Sequence, residues 1–379
     1  MVERRQILQL AGELTGRVAG RGDASVLVTL VRAEGSSYRQ TGARLLAGAG
    51  RWAGTISGGC LEAEVVKKAA WSVRGGAVVE RYSTRFDDTA EIPYGLGCGG
   101  TVDLLLEPSE TAEFQALMGA MEASVRGERR RVLTWLPAGG ERLRRVVLAD
   151  EEGAVYRSDG LGAAEIDAAL LGAMREVFDE WLTPPQRLVV LGAGDDAKPV
   201  VRMAALLGWD VTVVDGRSHL ARAERFPEAE RVVATTPAEI AGLRIKADAA
   251  VVLMTHSYEQ DREWLAAALP LSPRYLGVLG ARHRSSLLVS EAAAMAGLSV
   301  AECCARIYAP VGLDLGGDGP EAIALAVIAE VQACCMGRLG KSRRLSAANV
   351  AEQIERGGAS RYLQAQCAVD APLLRDAAR

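Results

Sequence analysis

The stretch that most constrains the fold of this chain is Leu188-Val189-Val190-Leu191-Gly192-Ala193-Gly194-Asp195-Asp196-Ala197-Lys198. An apolar, β-branched run stops at a glycine, and a helical pattern opens at Ala197 and continues to Leu207. A second apolar run, Val211 to Val214, then closes on Asp215. Strand, glycine turn, helix and acid-ended strand in that order match G-x-G-x-x-A with a carboxylate about twenty positions on, the fingerprint of a dinucleotide-binding βαβ unit. Gly192 is expected to make the tight turn, Gly194 to let a phosphate approach bare backbone, and Ala197 to let the helix lie close on the sheet. The first turn of that helix would offer unpaired N–H groups and a positive dipole end to an anion. Asp215 would accept hydrogen bonds from a ribose-like diol, and Arg217 would accept a 2′-phosphate. The pattern specifies a Rossmann-like fold and leaves its ligand open, because a doubly wound domain can carry a crevice that holds no dinucleotide.

A chain of 379 residues exceeds what one hydrophobic core organises, so two domains are expected. With 49% hydrophobic and 24% charged residues, the composition is that of an ordinary globular protein. A net charge of -4 and a pI near 5.7 give no general attraction for nucleic acid or anionic lipid. Aromatics at 5% are too sparse for base-stacking platforms. No apolar stretch approaches the length that crosses a bilayer. Met1-Val2-Glu3-Arg4-Arg5 carries an acid and leads into an amphipathic pattern rather than a signal peptide, so the expected location is the cytoplasm. Seven cysteines, odd in number and without a secreted-framework pattern, fit free thiols in a reducing compartment.

In chain order the first half reads as an α+β domain over 1–182. A helix is expected over Ile7 to Val18, and strands at Ser25–Arg32, Leu45–Ala47, Trp52–Ile56, Val78–Thr84 and Thr101–Leu106. The stretch Ser57–Glu62 runs straight into a helical pattern through Trp71, and that pattern and a helix over Glu110–Val125 belong to the same half. Arg85 to Gly100 reads as a loop. Strands at Arg131–Leu136, Leu143–Ala149 and Ala154–Arg157 precede a helix from Ala163 to Trp181. Thr183-Pro184-Pro185-Gln186 is the natural linker, since paired prolines continue neither helix nor sheet. Strands at 188–191, 211–214, 231–234, 247–254 and 275–279 then alternate with helices at 197–207, 237–243, 259–268 and 281–296, and a long apolar helix covers Pro320 to Met336. Such alternation specifies a parallel sheet covered on both faces. The fold class is therefore α/β: a C-terminal Rossmann-like doubly wound parallel sheet over 187–340, an N-terminal α+β domain, and a helical tail over 341–379.

Three glycine turns in the first half carry chemistry. Gly58-Gly59-Cys60 sets a thiol where a helix begins, and the dipole there stabilises a thiolate. Cys98-Gly99-Gly100 sets a second thiol in an equally open turn. Gly35-Ser36-Ser37 offers hydroxyls and backbone donors to an anion. The competing reading is that glycines mark tight turns and a lone cysteine is a small buried hydrophobe. Two thiols in two Gly-Gly turns point to an anionic ligand carrying a soft metal or sulfur. Zinc fits poorly, with no C-x-x-C and with His219, His256 and His283 scattered. In the second half, His256 stands where a buried strand ends, the place where open parallel sheets bind ligands, and is a candidate acid, base or cofactor contact. Gly280 lies at a further strand end. Gly316 belongs to a glycine-rich loop, Tyr308 to Glu321, read either as a lid over the crevice or as a plain crossover. Cys303-Cys304 and Cys334-Cys335 are adjacent pairs, which seldom bridge each other, and the second, in a helix, is read as core packing.

With these motifs in place, the chain resembles the xanthine dehydrogenase accessory factor family, the XdhC/CoxI-like proteins. The resemblance rests on Gly35-Ser36-Ser37-Tyr38-Arg39, Gly54-Thr55-Ile56-Ser57-Gly58-Gly59-Cys60-Leu61-Glu62, Cys98-Gly99-Gly100, Gly192-Ala193-Gly194, Val214-Asp215-Gly216-Arg217, Phe226-Pro227, Thr255-His256, Tyr275-Leu276-Gly277 and Ala309-Pro310-Val311-Gly312-Leu313-Asp314-Leu315-Gly316. It implies a chaperone that binds molybdenum cofactor as cargo and aids its sulfuration and insertion into a molybdenum hydroxylase apoenzyme. It also implies a cysteine desulfurase as sulfur source, a homodimer, and a soft contact from Cys60 or Cys98 to the cofactor's molybdenum. A phosphorylated pyranopterin with a dithiolene-held metal is the kind of ligand that glycine turns and thiols suit. The chain departs from the family pattern at Tyr38, where proline is usual, at Asp195, where a carboxylate repels phosphate unless Lys198 offsets it, and at Gly319, which weakens a helix cap. Two other readings stand beside the chaperone: an NAD(P)-dependent oxidoreductase with His256 as proton donor, and a regulatory nucleotide sensor.

Overall fold

In a computed structural model, the chain is described over residues 1–15, 25–35, 37–59, 61–83, 100–138, 141–150 and 153–341. Ser36, Cys60, Cys98, Gly99, residues 85–99 of the loop expected over Arg85–Gly100, and residues 342–379 of the tail expected to be helical lie outside the described residues. Two compact units meet in sequence between Pro184 and Pro185, and Met1–Val2 group with the second.

The first unit contains α1 (Val2–Thr15), β1 (Val26–Glu34), β2 (Arg44–Gly48), β3 (Arg51–Gly54), α2 (Glu62–Ser72), β4 (Val78–Ser83), β5 (Thr101–Pro108), α3 (Ala112–Val125), β6 (Arg130–Trp135), β7 (Arg144–Ala149), β8 (Gly153–Arg157), α4 (Ala163–Leu170) and β9 (Val177–Leu182). Its strands form two antiparallel sheets, β3-β2-β1-β5-β4 and β8-β7-β6-β9. The residues of β1 from Val26 to Val31 are all buried, because strand side chains alternate between faces and both faces of this sheet are covered. Val26, Val28 and Leu30 join Leu45, Ile56, Val65 and Leu104 in one core. Leu27 points the other way, to Ile7, Phe114, Val132 and Val147, which ties the two sheets together through α1 and α3.

One expectation fails here. The helix read over Ala163–Trp181 is only α4, followed by strand β9. Gly172, at φ 70°, ends α4 in a Schellman arrangement: its N–H donates to Ala169 O at 2.9 Å and that of Ala173 to Ala168 O at 3.2 Å. Val177–Leu182 then pairs antiparallel with β6, Arg130 opposite Leu182 and Trp135 opposite Val177. Helical propensity was overridden by a partner some fifty residues away in sequence (Arg130 to Leu182).

The second unit contains β10 (Arg187–Leu191), α5 (Ala197–Leu206), β11 (Asp210–Asp215), β12 (Arg231–Ala234), β13 (Ala250–Leu253), α6 (Tyr258–Ala268), β14 (Tyr275–Val278), α7 (Arg282–Met295), α8 (Val300–Cys304) and α9 (Pro320–Cys335). The segment Pro237–Leu243, read as a helix, is a 3₁₀ helix. The sheet is parallel, in the order β12-β11-β10-β13-β14. Leu188 and Val190 face α5 and α9 in one core, while Val189 and Leu191 face α6 and α7 in the other. Apolar strands buried on both faces and covered by helices are what the unbroken aliphatic runs require. Cys303 is buried and Cys334 half-buried, the latter with its Sγ 3.2 Å from Tyr308 Oη. Among the described residues no helix is long and apolar enough to cross a membrane.

Candidate functional site

In the parallel sheet the chain winds one way from β10 to β12 and the other way from β13 to β14, so β10 and β13 flank the switch point at which such sheets bind ligands. Gly192 makes the turn after β10 at φ 127°, and a Cβ there would fall 2.4 Å from the carbonyl oxygen of Met254 at the end of β13. Ala197, the first residue of α5, is fully buried. Asp215 lies at the end of β11. Its carboxylate is 1% exposed and is engaged by the protein itself. It accepts from Ala193 N at 2.8 Å and from Arg217 N, Nε and Nη2, each at 2.9 Å. These bonds lock the glycine turn to the end of the next strand, and a ribose diol at this carboxylate would compete with Arg217.

Arg217 also donates to Thr255 O at 3.3 Å, which carries the lock across to β13. There a second buried acid takes over. Asp261, 1% exposed in the first turn of α6, accepts from Thr255 N at 3.2 Å, from Thr255 Oγ1 at 2.7 Å and from Arg284 Nη2 at 2.7 Å. Arg284 also donates to Leu279 O at 3.2 Å, and a Cβ on Gly280 would sit 3.2 Å from Arg284 Nη1. His256 is held between these locks at φ 64°, the left-handed region that non-glycine residues rarely adopt and that clusters at functional sites. Its ring is 61% exposed, with Nε2 2.6 Å from Asp196 Oδ2. Asp195 is offset as the sequence requires: Lys198 Nζ lies at 2.7 Å and Arg225 Nη2 at 2.9 Å. These partners hold Asp195 below the ordinary carboxylate range. Gly316, at φ 73°, lies in a segment seated on α9 by Leu313 N, which donates to Ala326 O at 3.2 Å.

In the first unit, two of the three glycine turns are brought together. The ring of Tyr38 lies 3.7 Å from where a Cβ on Gly58 would be, so the 35–39 and 57–61 turns are neighbours. On the neighbouring strand Thr101 pairs with Glu34, which precedes Gly35 at φ 76°. The Gly58-Gly59 turn is built by Ser57 and Glu62. Glu62 Oε1 accepts from Ile56 N at 3.1 Å and Ser57 N at 2.8 Å, and Oε2 accepts from the Ser57 hydroxyl. Ser57 Oγ in turn accepts from Leu61 N at 3.1 Å and Gly59 N at 3.3 Å. Gly59, at φ 105°, and Gly58 are exposed, which presents their backbone to solvent beside position 60. Among the described residues no group of three or more His, Cys, Asp or Glu side chains is placed to hold a metal ion.

Residues 188–331 match the family model described as the XdhC Rossmann domain, and residues 18–83 match that of the XdhC and CoxI family. The chain belongs to this family. It is 27% identical to a probable xanthine dehydrogenase subunit of Bacillus subtilis (strain 168), over 82% of this chain and 92% of that one. It is 28% identical to the molybdenum cofactor insertion chaperone PaoD of Escherichia coli (strain K12), over 87% of this chain and 88% of that one. A crystal structure described as a xanthine dehydrogenase from Bacillus halodurans matches with a TM-score of 0.74 at 27% identity, covering 91% of this chain and 99% of that one.

Within the XdhC Rossmann match, sequence reasoning missed Asp196, Asp261, Arg225 and Arg284. Only Asp261 left a local trace, an acid in the first helical turn after a strand-end serine cap (Ser257). The buried acids carry a pH signature. Burial by itself would raise Asp215, but the Arg217 guanidinium and the N–H groups of Ala193 and Arg217 outweigh it and hold it below the ordinary 3.8. Burial would likewise raise Glu62, and the Ser57 hydroxyl and the Ser57 and Ile56 amides bring it below 4.5. A carboxyl depressed by folding contributes stability that is complete above its unfolded pKa and is lost as pH falls through the folded one. Unfolding midpoints in urea are therefore expected to hold from about pH 7 to about pH 5 and to drop below about pH 4. Asp215→Asn should blunt the acid-side loss of the second unit; an unchanged slope would count against the lock.

Proposed function

We propose that this chain is a carrier of molybdenum cofactor that works in the cytoplasm. It holds the cofactor as cargo and passes it to the apoenzyme of a molybdenum hydroxylase of the xanthine or carbon monoxide dehydrogenase type. The observation that carries the reading is the likeness, over nearly the full length of both chains, to a protein named as a molybdenum cofactor insertion chaperone. The chemistry of the site residues supports it. A phosphorylated pyranopterin needs backbone donors and cations. Each unit by itself meets one of these needs: the exposed Gly58-Gly59 turn offers backbone donors in the first, and Lys198 and Arg225, which share the single carboxylate of Asp195, offer cations in the second. Cys60 and Cys98, each beside glycines in sequence, give soft sulfur for the metal end of the cargo, and the Ser57–Glu62 bonds fix the Gly58-Gly59 turn. Sulfuration before transfer, with a cysteine desulfurase as donor and a homodimer as the working form, belongs to the same proposal.

The test is mass identification of what copurifies from a host that makes molybdenum cofactor. A phosphorylated pyranopterin bearing molybdenum is expected, and Cys60→Ser combined with Cys98→Ser should lower its retention at least about tenfold. A nicotinamide nucleotide in its place would overturn the proposal. Retention and delivery unchanged in the double variant would remove both thiols from the site.

A further inference from the structure

The first unit contains a cleft of about 340 Å³ lined by Arg4, Thr41, Gly42, Arg44, Phe178 and Glu180, together with neighbours on β9. Its charges do not balance. Arg44 is 6% exposed and pairs through Nη2 with Glu180, and it donates from Nη1 to Gly42 O at 3.0 Å. Its Nε is buried without a partner among the described residues. The other carboxylate at the cleft, Asp179, is already held by Arg131 Nε at 3.0 Å and Nη2 at 2.7 Å. Among the described residues Arg4 therefore has no anion of its own. Its Nη1 donates to two neutral oxygens, Ser124 Oγ at 2.6 Å and Thr183 O at 3.0 Å. Burial and the nearby Arg44 charge push the Arg4 guanidinium down to about 10, against the opposing pull of Glu180. Two guanidinium groups thus share a single carboxylate inside a half-enclosed space with a threonine on its wall.

Buried cations are tolerated where an anion completes them, and arginine forks match the geometry of phosphate oxygens. We infer that this cleft binds a phosphate group, free or as the monoester of a small alcohol, on Arg4 and Arg44 with Thr41 beside them. None of its lining residues belongs to the glycine turns or to the parallel strand ends, so its test is separate from that of the cargo reading. The cleft exceeds the size of inorganic phosphate, and Phe178 supplies an apolar wall for a short esterified group.

Calorimetric titration of the full chain with inorganic phosphate and with glycerol 3-phosphate tests the assignment. Saturable binding at about millimolar or tighter concentration is expected, and the ester binding more tightly than the free ion identifies the monoester as the ligand class. Arg4→Gln should weaken binding at least about tenfold, since it removes a charge-assisted donor. Glu180→Gln should act in the opposite direction and tighten binding, because it removes the competing carboxylate. A purely structural pair would not produce that gain. Arg51→Gln, at an exposed cation paired with Glu13, should leave binding unchanged. Absence of saturable binding for both probes, or equal binding by the Arg4→Gln variant, would overturn the assignment.

Discussion

Gly192→Ala is expected to cost the second unit roughly 3–5 kcal/mol, the sum of a backbone conformation that side chains avoid and a clash that cannot relax. The added Cβ would meet Met254 O at 2.4 Å, Met254 C at 2.5 Å and Thr255 N at 2.7 Å, all of them main-chain atoms. Those atoms are pinned, because Met254 N donates to Leu191 O at 2.8 Å and Gly192 N donates to Val214 O at 2.7 Å. No side chain can turn aside to make room. Gly194→Ala offers the contrast. Its Cβ would meet only the carboxylate tip of Asp196, at 2.6 Å, which can swing away at the expense of its bond to His256. That variant should therefore lose less than about 1 kcal/mol while releasing the His256 ring. Hydrogen exchange, followed separately for β10–β14 and for β1–β9, distinguishes the outcomes. Protection of β10–β14 unchanged by Gly192→Ala would mean that the close approach of the two strand ends is not what the glycine serves.

Glu107→Ala should cost the first unit about 3–5 kcal/mol, the usual consequence of stranding a buried charge. Glu107 and Arg145 are 0% and 2% exposed, with Nη2 to Oε2 at 2.9 Å. Arg145 also donates to Glu113 O at 2.6 Å and to Thr134 Oγ1 at 3.1 Å, so one guanidinium joins β5, β7, β6 and the start of α3. Removing the acid leaves a cation with no counter-charge at the junction of the two sheets. Replacing both members by apolar residues of similar volume, Glu107→Leu with Arg145→Met, should recover most of the loss, since desolvation of the pair consumes much of its attraction. Urea unfolding of the single and double variants measures both. A single variant as stable as the double one would show that the charge is not the reason for the loss.

Much of the fold is visible in one-dimensional pattern. Unbroken aliphatic runs such as Leu188–Leu191 require burial on both faces, and their alternation with helical stretches leaves a parallel sheet as the natural answer. Gly192 and Ala197 were readable because steric demands at a strand–turn–helix corner are local. The site was legible only in outline. The glycine turns are evident as turns, yet only the folded chain brings Tyr38, after β1, against Gly58. The helix pattern over Ala163–Trp181 misled because Gly172 and the distant strand β6 decide where helix gives way to strand.

What sequence alone determined is the class of most segments and the corner at Gly192, since both follow from side-chain volume, apolar periodicity and backbone freedom within a few residues. What tertiary structure decided is the employment of the charged groups. Asp215 is claimed by Arg217, Asp261 by Thr255 and Arg284, Asp196 by His256, and Glu180 by Arg44. A carboxylate's role depends on which donor is nearest once the chain has folded, and that distance is set by sheet order and helix packing rather than by spacing along the sequence.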